Sequence, residues 1–300
     1  MGPTAVGKSP VAAALARELS TEILTADSRQ VYRKMDIGTA KPGREGVHRH
    51  LIDLVDPDEP FSVGEYRRRA EPILRGLYKE GKIPILEGGT GLYVRALLQG
   101  LWAGPPADQE LRRSLREEER NDPGALHRRL LKSDPEAAAR IHPNDCSKLL
   151  RAVEVYELTG MAISEHHARH RFGEERYAAV RVGLFRERTE LYRRIESRID
   201  RQIEEGLFDE VRSLLKAGYS ADLAAMRGLG YRQLVPHLEG RISKEEAVRV
   251  FKMETRRFAK RQLTWFRADA KVSWITLSKR DGTEETVARI KGLKSFQNMI

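Results

Sequence analysis

Two patterns divide this chain. In residues 1–103 and again in 175–300, short apolar runs alternate with stretches whose apolar residues recur every three or four positions. Short apolar runs suit strands buried on both faces, and the three-to-four spacing suits helices with one buried side. Strands are predicted over residues 21–26, 83–87, 177–185 and 272–277. In 177–185, Ala178, Val180, Val182 and Leu184 alternate with Arg181 and Gly183. Helices are predicted over the alanine-rich 11–19, over 61–80 with Phe61, Tyr66, Leu74 and Leu77 inward, and over 207–216. A longer one covers 188–205, with Leu191, Ile195, Ile199 and Ile203 on one side, Arg194, Arg198 and Arg201 riding on it, and Gly206 as its stop. Ser243 caps a helix over 244–267, with Glu246 at the capping-box position, and 283–296 reads as a terminal helix.

Residues 104–174 carry no strand signal. They read as charged helices broken at Asp122-Pro123, Asp134-Pro135 and His142-Pro143. Arg112, Arg113, Arg116, Arg128, Arg129, Lys148 and Arg151 give this segment a basic side, most of it expected to pair with the many glutamates and some to touch phosphates. The picture is one α/β core made of residues 1–103 and 175–300, interrupted by a helical insertion, 104–174.

Composition narrows the class. Forty per cent hydrophobic and 33% charged residues suit a globular protein, with no apolar run of membrane-spanning length and no signal peptide. The single cysteine, Cys146, excludes an intramolecular disulfide and a cysteine zinc cluster, so a cytoplasmic location is expected. A net charge of +10 favours a polyanionic partner, while remaining compatible with a merely solvated basic surface.

Candidate chemistry begins at the first residues. Gly2-Pro3-Thr4-Ala5-Val6-Gly7-Lys8-Ser9 fits the phosphate-loop pattern of nucleotide-binding and ATP-binding proteins. Glycines let the backbone curl around phosphate oxygens, Lys8 brings a mobile positive charge, and the Ser9 hydroxyl can ligate Mg²⁺. A helix opening here turns its positive dipole end to the anion, and Pro10 is tolerated in a first turn that has no use for its N–H. The loop predicts a bound phosphate or diphosphate, not a nucleotide as such. The fold expected is therefore a P-loop NTPase-like parallel sheet with an all-helical insertion domain. A phosphate loop ordinarily follows a buried strand, yet only Met1 precedes Gly2; the first core strand is expected to be missing, with the sequence starting about ten residues late.

Further along, Asp27-Ser28-Arg29-Gln30-Val31-Tyr32 follows the strand 21–26, at the end where ligands of open α/β sheets bind. Asp27 is placed either as a general base or Mg²⁺ holder, or as a turn cap; both readings stand. His48, His50 and Asp53 suggest a metal site, but without cysteines or helical spacing the preferred reading is polar side chains shaping a loop and a strand. Gly88-Gly89-Thr90-Gly91 after a buried strand means close approach of backbone to a ligand or another element, with Thr90 as a hydroxyl at the crevice. Arg227-Gly228-Leu229-Gly230-Tyr231-Arg232 suits an RNA backbone and a stacked base, or an ordinary connection between helices. Residues 256–267, with cations interleaved among Phe258, Trp265 and Phe266, carry the strongest nucleic-acid signal in the chain, against the alternative of core aromatics and solvated cations.

These motifs stand together in one order: GPTAVGKS (2–9), DSRQVY (27–32), DIGTAKP (36–42), HRHLID (48–53), GGTGLY (88–93), IHPND (141–145), GLGYR (228–232) and KRQLTWFR (260–267). Over nearly its whole length the chain resembles the bacterial tRNA dimethylallyltransferases. It departs from them in lacking the first strand and in carrying Cys146-Ser147-Lys148 where a glutamine-arginine or similar pair is common. The resemblance implies transfer of a dimethylallyl group from dimethylallyl diphosphate to N6 of adenosine 37 in tRNA, by a monomer and with Mg²⁺. It implies catalytic roles for Asp27 and Thr90, and a diphosphate site of Gly2, Pro3, Thr4, Ala5, Val6, Gly7, Lys8, Ser9 and Arg198, Ser9 holding the metal. It implies tRNA contacts from Asp27, Ser28, Arg29, Gln30, Thr90 and Arg112, and from Ser147, Lys148 and Arg151. Arg227, Tyr231, Arg232, Lys260, Arg261, Gln262, Trp265 and Arg267 complete that set, which holds the anticodon arm. The rival functions are an adenylate isopentenyltransferase, a phosphate-loop small-molecule kinase, and a non-catalytic RNA-binding protein.

Overall fold

The computed structural model describes residues 1–43, 46–102, 104–170 and 175–298. Two compact units emerge, Met1–Leu98 with Tyr177–Ile300, and Gln99–Arg176. In chain order the larger unit opens with α1 (Lys8–Glu18), β1 (Ile23–Ala26), β2 (Arg49–His50), α2 (Val63–Lys79), β3 (Ile85–Gly88) and α3 (Gly91–Gln99). The smaller unit follows as α4 (Gln109–Asn121), α5 (Ala125–Ser133), α6 (Pro135–Arg140), α7 (Cys146–Thr159) and α8 (Ile163–His170). The larger unit resumes with β4 (Arg181–Arg186), α9 (Arg188–Glu204), α10 (Leu207–Lys216), α11 (Tyr231–Leu238), α12 (Lys244–Arg267), β5 (Val272–Leu277), α13 (Thr283–Lys291) and α14 (Lys294–Gln297).

The strands are parallel, as expected, but lie in two sheets. One has the order β2-β1-β3, with Ile23 opposite Arg49 and Ala26 opposite Gly88; the other pairs β4 with β5, Arg181 opposite Val272. Met1 lies along β4: its amino group donates to the Val182 carbonyl at 2.7 Å and its carbonyl accepts from the Leu184 N–H at 2.9 Å. All four residues of β1 are buried, which is why its Ile-Leu-Thr-Ala shows no alternation.

Helices enclose the sheets by apolar stripes. Leu191, Ile195 and Ile199 of α9 are spaced one turn apart and are 5%, 1% and 1% exposed, so they bury one side and leave the arginines on the other. Ala247, Phe251, Thr255, Ala259, Gln262 and Phe266 make one buried stripe along α12. The Ser243 hydroxyl caps that helix by accepting from the Glu246 N–H at 3.1 Å, whereas the Glu246 carboxylate turns to Arg249 instead of closing a capping box. Gly206, at φ 99°, ends α9 and opens α10 in a conformation that L side chains rarely adopt. The single helix expected over 283–296 is two, interrupted at Gly292 and Leu293.

In the helical unit two breaks fall at aspartates that cap the next helix, whereas the break at Asp122-Pro123 opens α5 from Gly124, at φ 88°, without a side-chain cap. Asp134 accepts from the Ala137 N–H and, on the same carboxylate, from the N–H and hydroxyl of Ser164. Asp145 accepts from the Lys148 N–H, opening α7. Leu115, Leu126, Leu130, Leu149 and Val153 form its core, each 0–1% exposed.

Candidate active site

The phosphate loop occupies residues 2–9 and runs straight into α1. Gly2, Ala5 and Gly7 have φ of 144°, 62° and 110°. For Ala5 this left-handed conformation costs about 1–2 kcal/mol, so the loop must be held from outside. The holding contacts are cations on carbonyls. Lys8 Nζ donates to the Pro3 carbonyl at 2.8 Å, Arg194 Nε to Ala5 at 2.9 Å, and Arg186 Nε to Val6 at 3.0 Å. The first N–H groups of α1 have no side-chain cap. They are the unpaired donors of a helix N-terminus, with the dipole's positive end behind them.

Two cations at this loop are poorly hydrated. Burial pushes the Lys8 ammonium below its usual value; Glu87 and Asp27 oppose the shift, and Arg198 adds to it. Burial likewise pushes the Arg198 guanidinium down, against the attraction of Asp27 and Glu87. Arg198 reaches the loop itself, donating to the Thr4 hydroxyl at 3.3 Å. Desolvated positive charges beside open backbone donors make a site that suits a compact polyanion.

A carboxylate stands next to them that the motifs do not contain. Glu87, 8% exposed at the end of β3, accepts from the Ser9 hydroxyl at 3.3 Å and from Arg49 at 3.0 Å, while Arg49 also donates to the Ser9 carbonyl at 2.9 Å. Ser9 and Glu87 thus offer hard oxygens at one place, the donor type that Mg²⁺ takes.

Asp27 follows β1 and faces the same cavity. Its Oδ1 accepts from the Arg29 N–H at 2.8 Å, so it shapes the turn as well as lining the crevice. Thr90 lies beside it across the strand ends: its hydroxyl accepts from the Ser28 N–H at 3.0 Å and sits 3.3 Å from the Ser28 hydroxyl. The cavity measures about 1260 Å³ and joins the loop, Asp27 to Gln30, Glu87 to Thr90, the arginines of α9, residues 227–232 and the Phe258, Arg261 and Gln262 side of α12. It is large enough for a diphosphate and a purine together, and it is lined wholly by the larger unit.

The glycine run of 88–91 is explained by packing against protein. A Cβ on Gly88 would fall 2.1 Å from the Ala26 carbonyl oxygen, one on Gly89 2.4 Å from the Gln262 amide nitrogen, and one on Gly91 2.0 Å from the Trp265 indole nitrogen.

Some of the expected tRNA contacts are exposed and others are tied to the protein, and among the exposed ones Arg227, Arg232 and Lys148 carry surface ion pairs to Asp222, Glu254 and Asp145. Arg227, Arg232, Lys260, Arg261, Trp265 and Arg267 are exposed, as are Ser147 and Lys148 in the helical unit. Six others are engaged within the protein. Tyr231 is 1% exposed, with its hydroxyl donating to Glu210 at 2.6 Å and its ring filling the space a Cβ on Gly38 would need; it is a core residue, and stacking on a base is closed to it. Gln262 accepts from the Thr4 N–H at 2.8 Å and donates to the Gly89 carbonyl at 2.9 Å, so its amide ties the phosphate loop to the glycine run. Gln30 is buried, and its amide holds the carbonyls of Thr39 and Ala40. Arg112 and Arg151 both clamp Glu154, whose side chain is 0% exposed. Arg29 keeps one guanidinium nitrogen on the Ala224 carbonyl while lining the cavity.

Sequence reasoning missed Glu87 and Arg194 as parts of the site. Arg194 lies one turn before Arg198 on α9, so the spacing held the signal. Glu87 was visible as the one charge in an apolar strand leading into glycines, but its pairing with Ser9 required the register of the fold.

Comparison with known proteins agrees with this geometry. The family model described as IPP transferase matches residues 30–269. The chain is 49% identical to the tRNA dimethylallyltransferase of Syntrophobacter fumaroxidans over 292 residues, 96% of this chain and 85% of that one. It is 50% identical to the tRNA dimethylallyltransferase of Geobacter metallireducens over 279 residues, 91% and 90% of the two chains. Among solved structures, the tRNA isopentenylpyrophosphate transferase of Bacillus halodurans superposes with a TM-score of 0.72 at 40% identity, covering 99% of this chain and 95% of that one. A eukaryotic dimethylallyltransferase acting on tRNA gives 0.76 at 25% identity, covering 99% and 76%. A family match over most of the chain, with relatives half identical along nearly all of it, means that this chain belongs to the IPP transferase family.

Proposed function

We propose that this protein transfers a dimethylallyl group from dimethylallyl diphosphate to the exocyclic N6 of adenosine 37 in tRNA. One observation carries the reading: a single cavity has a phosphate loop with two desolvated cations, Lys8 and Arg198, next to a carboxylate, Asp27, at the strand ends. The loop N–H groups, Lys8, Arg198 and the Thr4 hydroxyl hold the diphosphate and stabilise the charge that grows on it as the C–O bond breaks. Ser9, with Glu87 beside it, is the place for Mg²⁺, which when bound supplies further positive charge to the leaving group.

The adenine N6 forms the new bond to C1 of the dimethylallyl group, the diphosphate departs with the C–O electron pair, and Asp27 takes the N6 proton. An adenine amine is a weak nucleophile, so alignment by Asp27, Ser28 and Thr90 counts as much as basicity. The base must leave the anticodon stack to enter the cavity. Lys260, Arg261 and Arg267, with Arg227 and Arg232 and, in the helical unit, Ser147 and Lys148, are the groups for the anticodon arm. Among the described residues no helix is long and apolar enough to cross a membrane. In this reading the enzyme works as a monomer in the cytoplasm, where its tRNA is.

The test is incubation of the enzyme and Mg²⁺ with labelled dimethylallyl diphosphate and either tRNA or AMP, and separately with ATP and small acceptors. Label on adenosine 37 of tRNA alone is the expected result. Label on AMP would make the protein an adenylate isopentenyltransferase, and phosphorylation of an acceptor would make it a kinase.

A further inference from the structure

A second cluster of ligand-type side chains lies at the opposite end of the sheet from the cavity. Glu22 immediately precedes β1 and Asp27 immediately follows it, so the two ends are about 16 Å apart at the usual rise of a strand. Beside Glu22 runs β2, an edge strand of two residues, Arg49 and His50. Side chains alternate along a strand, and here the alternation sorts the chemistry. Arg49 points to Glu87 and Ser9, whereas His48 and His50 share the other side with Glu22.

The three are close. His50 Nε2 is 2.6 Å from Glu22 Oε2, the His48 and His50 rings meet edge to face at 4.2 Å between centroids, and one ligand atom from each residue lies within 4.8 Å of the others. The backbone fixes the grouping, because the Ile23 N–H donates to the His48 carbonyl at 3.0 Å and Ile23 pairs with Arg49. Asp53, the carboxylate that sequence spacing suggested, is engaged by Lys41 instead. His48 is exposed, and among the described residues its ring has no hydrogen-bond partner.

We propose that Glu22, His48 and His50 form a surface site for a borderline divalent cation, Zn²⁺ first, separate from the catalytic cavity. Two imidazole nitrogens and one carboxylate oxygen are the donor set of a three-ligand zinc site with water in the fourth position. Tetrahedral coordination at about 2.0–2.1 Å puts donor atoms about 3.3 Å apart, so the cluster closes by rotation of the exposed His48 side chain. Imidazole nitrogen disfavours Mg²⁺, which takes oxygen, so the ion of the cavity does not compete here. Lys82 does compete: its ammonium lies 3.3 Å from Glu22 Oε1 and 2.8 Å from Glu80. The bound ion bridges His50 on β2 to Glu22 at the start of β1, and so fastens the edge strand to its neighbour.

The test is calorimetric titration of the full chain with Zn²⁺, with Co²⁺ absorption as a second readout of tetrahedral nitrogen ligation. Wild type is expected to bind one Zn²⁺ and to melt at a higher temperature with it. His48→Ala removes an exposed side chain, so the fold is kept, and affinity should fall by more than the 10–100-fold that loss of an outer-shell partner costs. Glu22→Gln should do the same, Lys82→Ala should tighten binding, and with Mg²⁺ present prenyl transfer by the zinc-free His48→Ala protein should match that of zinc-free wild type. Absence of saturable one-to-one binding, or equal affinity in wild type and His48→Ala, would overturn the proposal.

Discussion

In the helical unit Arg112 and Arg151 converge on Glu154, a carboxylate with no exposed surface, and Arg129 bridges Glu118 and Glu157. In the larger unit Lys8 and Arg198 are half-buried around a phosphate loop whose nearest acids, Asp27 and Glu87, only partly offset them. The residue types are the same, and the difference is the carboxylate supply. Where cations meet enough acid inside the protein, they hold helices together and have nothing left for a ligand. Where the supply falls short at a place partly withdrawn from water, a charge has been desolvated without full compensation, and an incoming anion recovers that cost. Basic composition is therefore a poor guide to binding until the partners of each cation are known.

The strongest test of this contrast asks whether the acid in the crevice serves chemistry. Asp27→Asn keeps an oxygen to accept from the Arg29 N–H, so the turn survives, but it cannot take a proton. The rate of prenyl transfer is expected to fall by about 10²–10⁴, the usual value of a positioned acid or base, with the melting temperature almost unchanged. A near-normal rate would make Asp27 a turn former and would place the two units on the same footing.

The converse test removes the acid of the helical unit. Glu154→Ala leaves two arginines facing a buried void, and loss of one partner of a buried ion pair costs about 3–5 kcal/mol. Calorimetry should show the loss of stability. The pH dependence has a definite sign. Burial alone would raise the Glu154 carboxyl, but hydrogen bonds from Arg112, Arg151 and the Asp108 N–H bring it below its ordinary 4.5. Asp134 is likewise held below its ordinary 3.8 by Ser164 and Ala137, against the effect of burial. Groups with depressed values stabilise the fold above their ordinary range, and that contribution disappears as pH falls through the folded values. The wild type should therefore lose stability below about pH 4 more steeply than Glu154→Ala does.

How much of this was legible follows the range of the interactions involved. The phosphate loop, α9 and α12 were readable because each is encoded by spacing within one segment: the Gly7-Lys8-Ser9 step, the turn-by-turn series Leu191, Ile195, Ile199, and the Ser243 cap. The roles of Tyr231, Gln262 and Glu87 were not, because each is settled by a residue far off in sequence. Tyr231 is buried by Gly38 and Glu210, Gln262 is bound to Thr4 and Gly89, and Glu87 meets Ser9 and Arg49. An aromatic or amide in a charged stretch carries no mark of whether it faces a ligand or another helix. β2 was read only as an unbounded strand beside a loop, because two residues are too few to show a period, although its alternation sets Arg49 and His50 to opposite tasks.

A smaller effect separates packing from ligand contact at the glycine run. Gly88→Ala would drive a methyl group into the Ala26 backbone, which has no room to yield, and overpacking of this kind costs about 1–3 kcal/mol. Gly91→Ala meets a half-exposed Trp265 ring that can swing away, so its cost should be lower. Thermal unfolding of the two variants checks the order. A larger loss for Gly91→Ala would mean that Trp265 is fixed by more than its contacts here.

The finest distinction concerns the cations of α12. Lys260, Arg261 and Arg267 are exposed, and among the described residues none is ion-paired; Arg261 lies over the Phe258 ring at 5.9 Å and Arg267 over Phe185 at 5.2 Å. They have charge to spare, where Arg112 has none. Each phosphate neutralised by such a cation releases counterions, so tRNA affinity should fall steeply with salt, and Arg261→Ala should lower the log–log slope by about one. Diphosphate affinity should not change, because that site is built from the loop, Lys8 and Arg198. Arg112→Ala should weaken the helical unit towards heat yet leave the slope as it was at temperatures where that unit is folded. The measurement is tRNA affinity at several salt concentrations for wild type and both variants. If Arg112→Ala lowers the slope and Arg261→Ala does not, then ion pairing inside the protein does not decide which cations reach the nucleic acid, and the contrast between the units loses its physical basis.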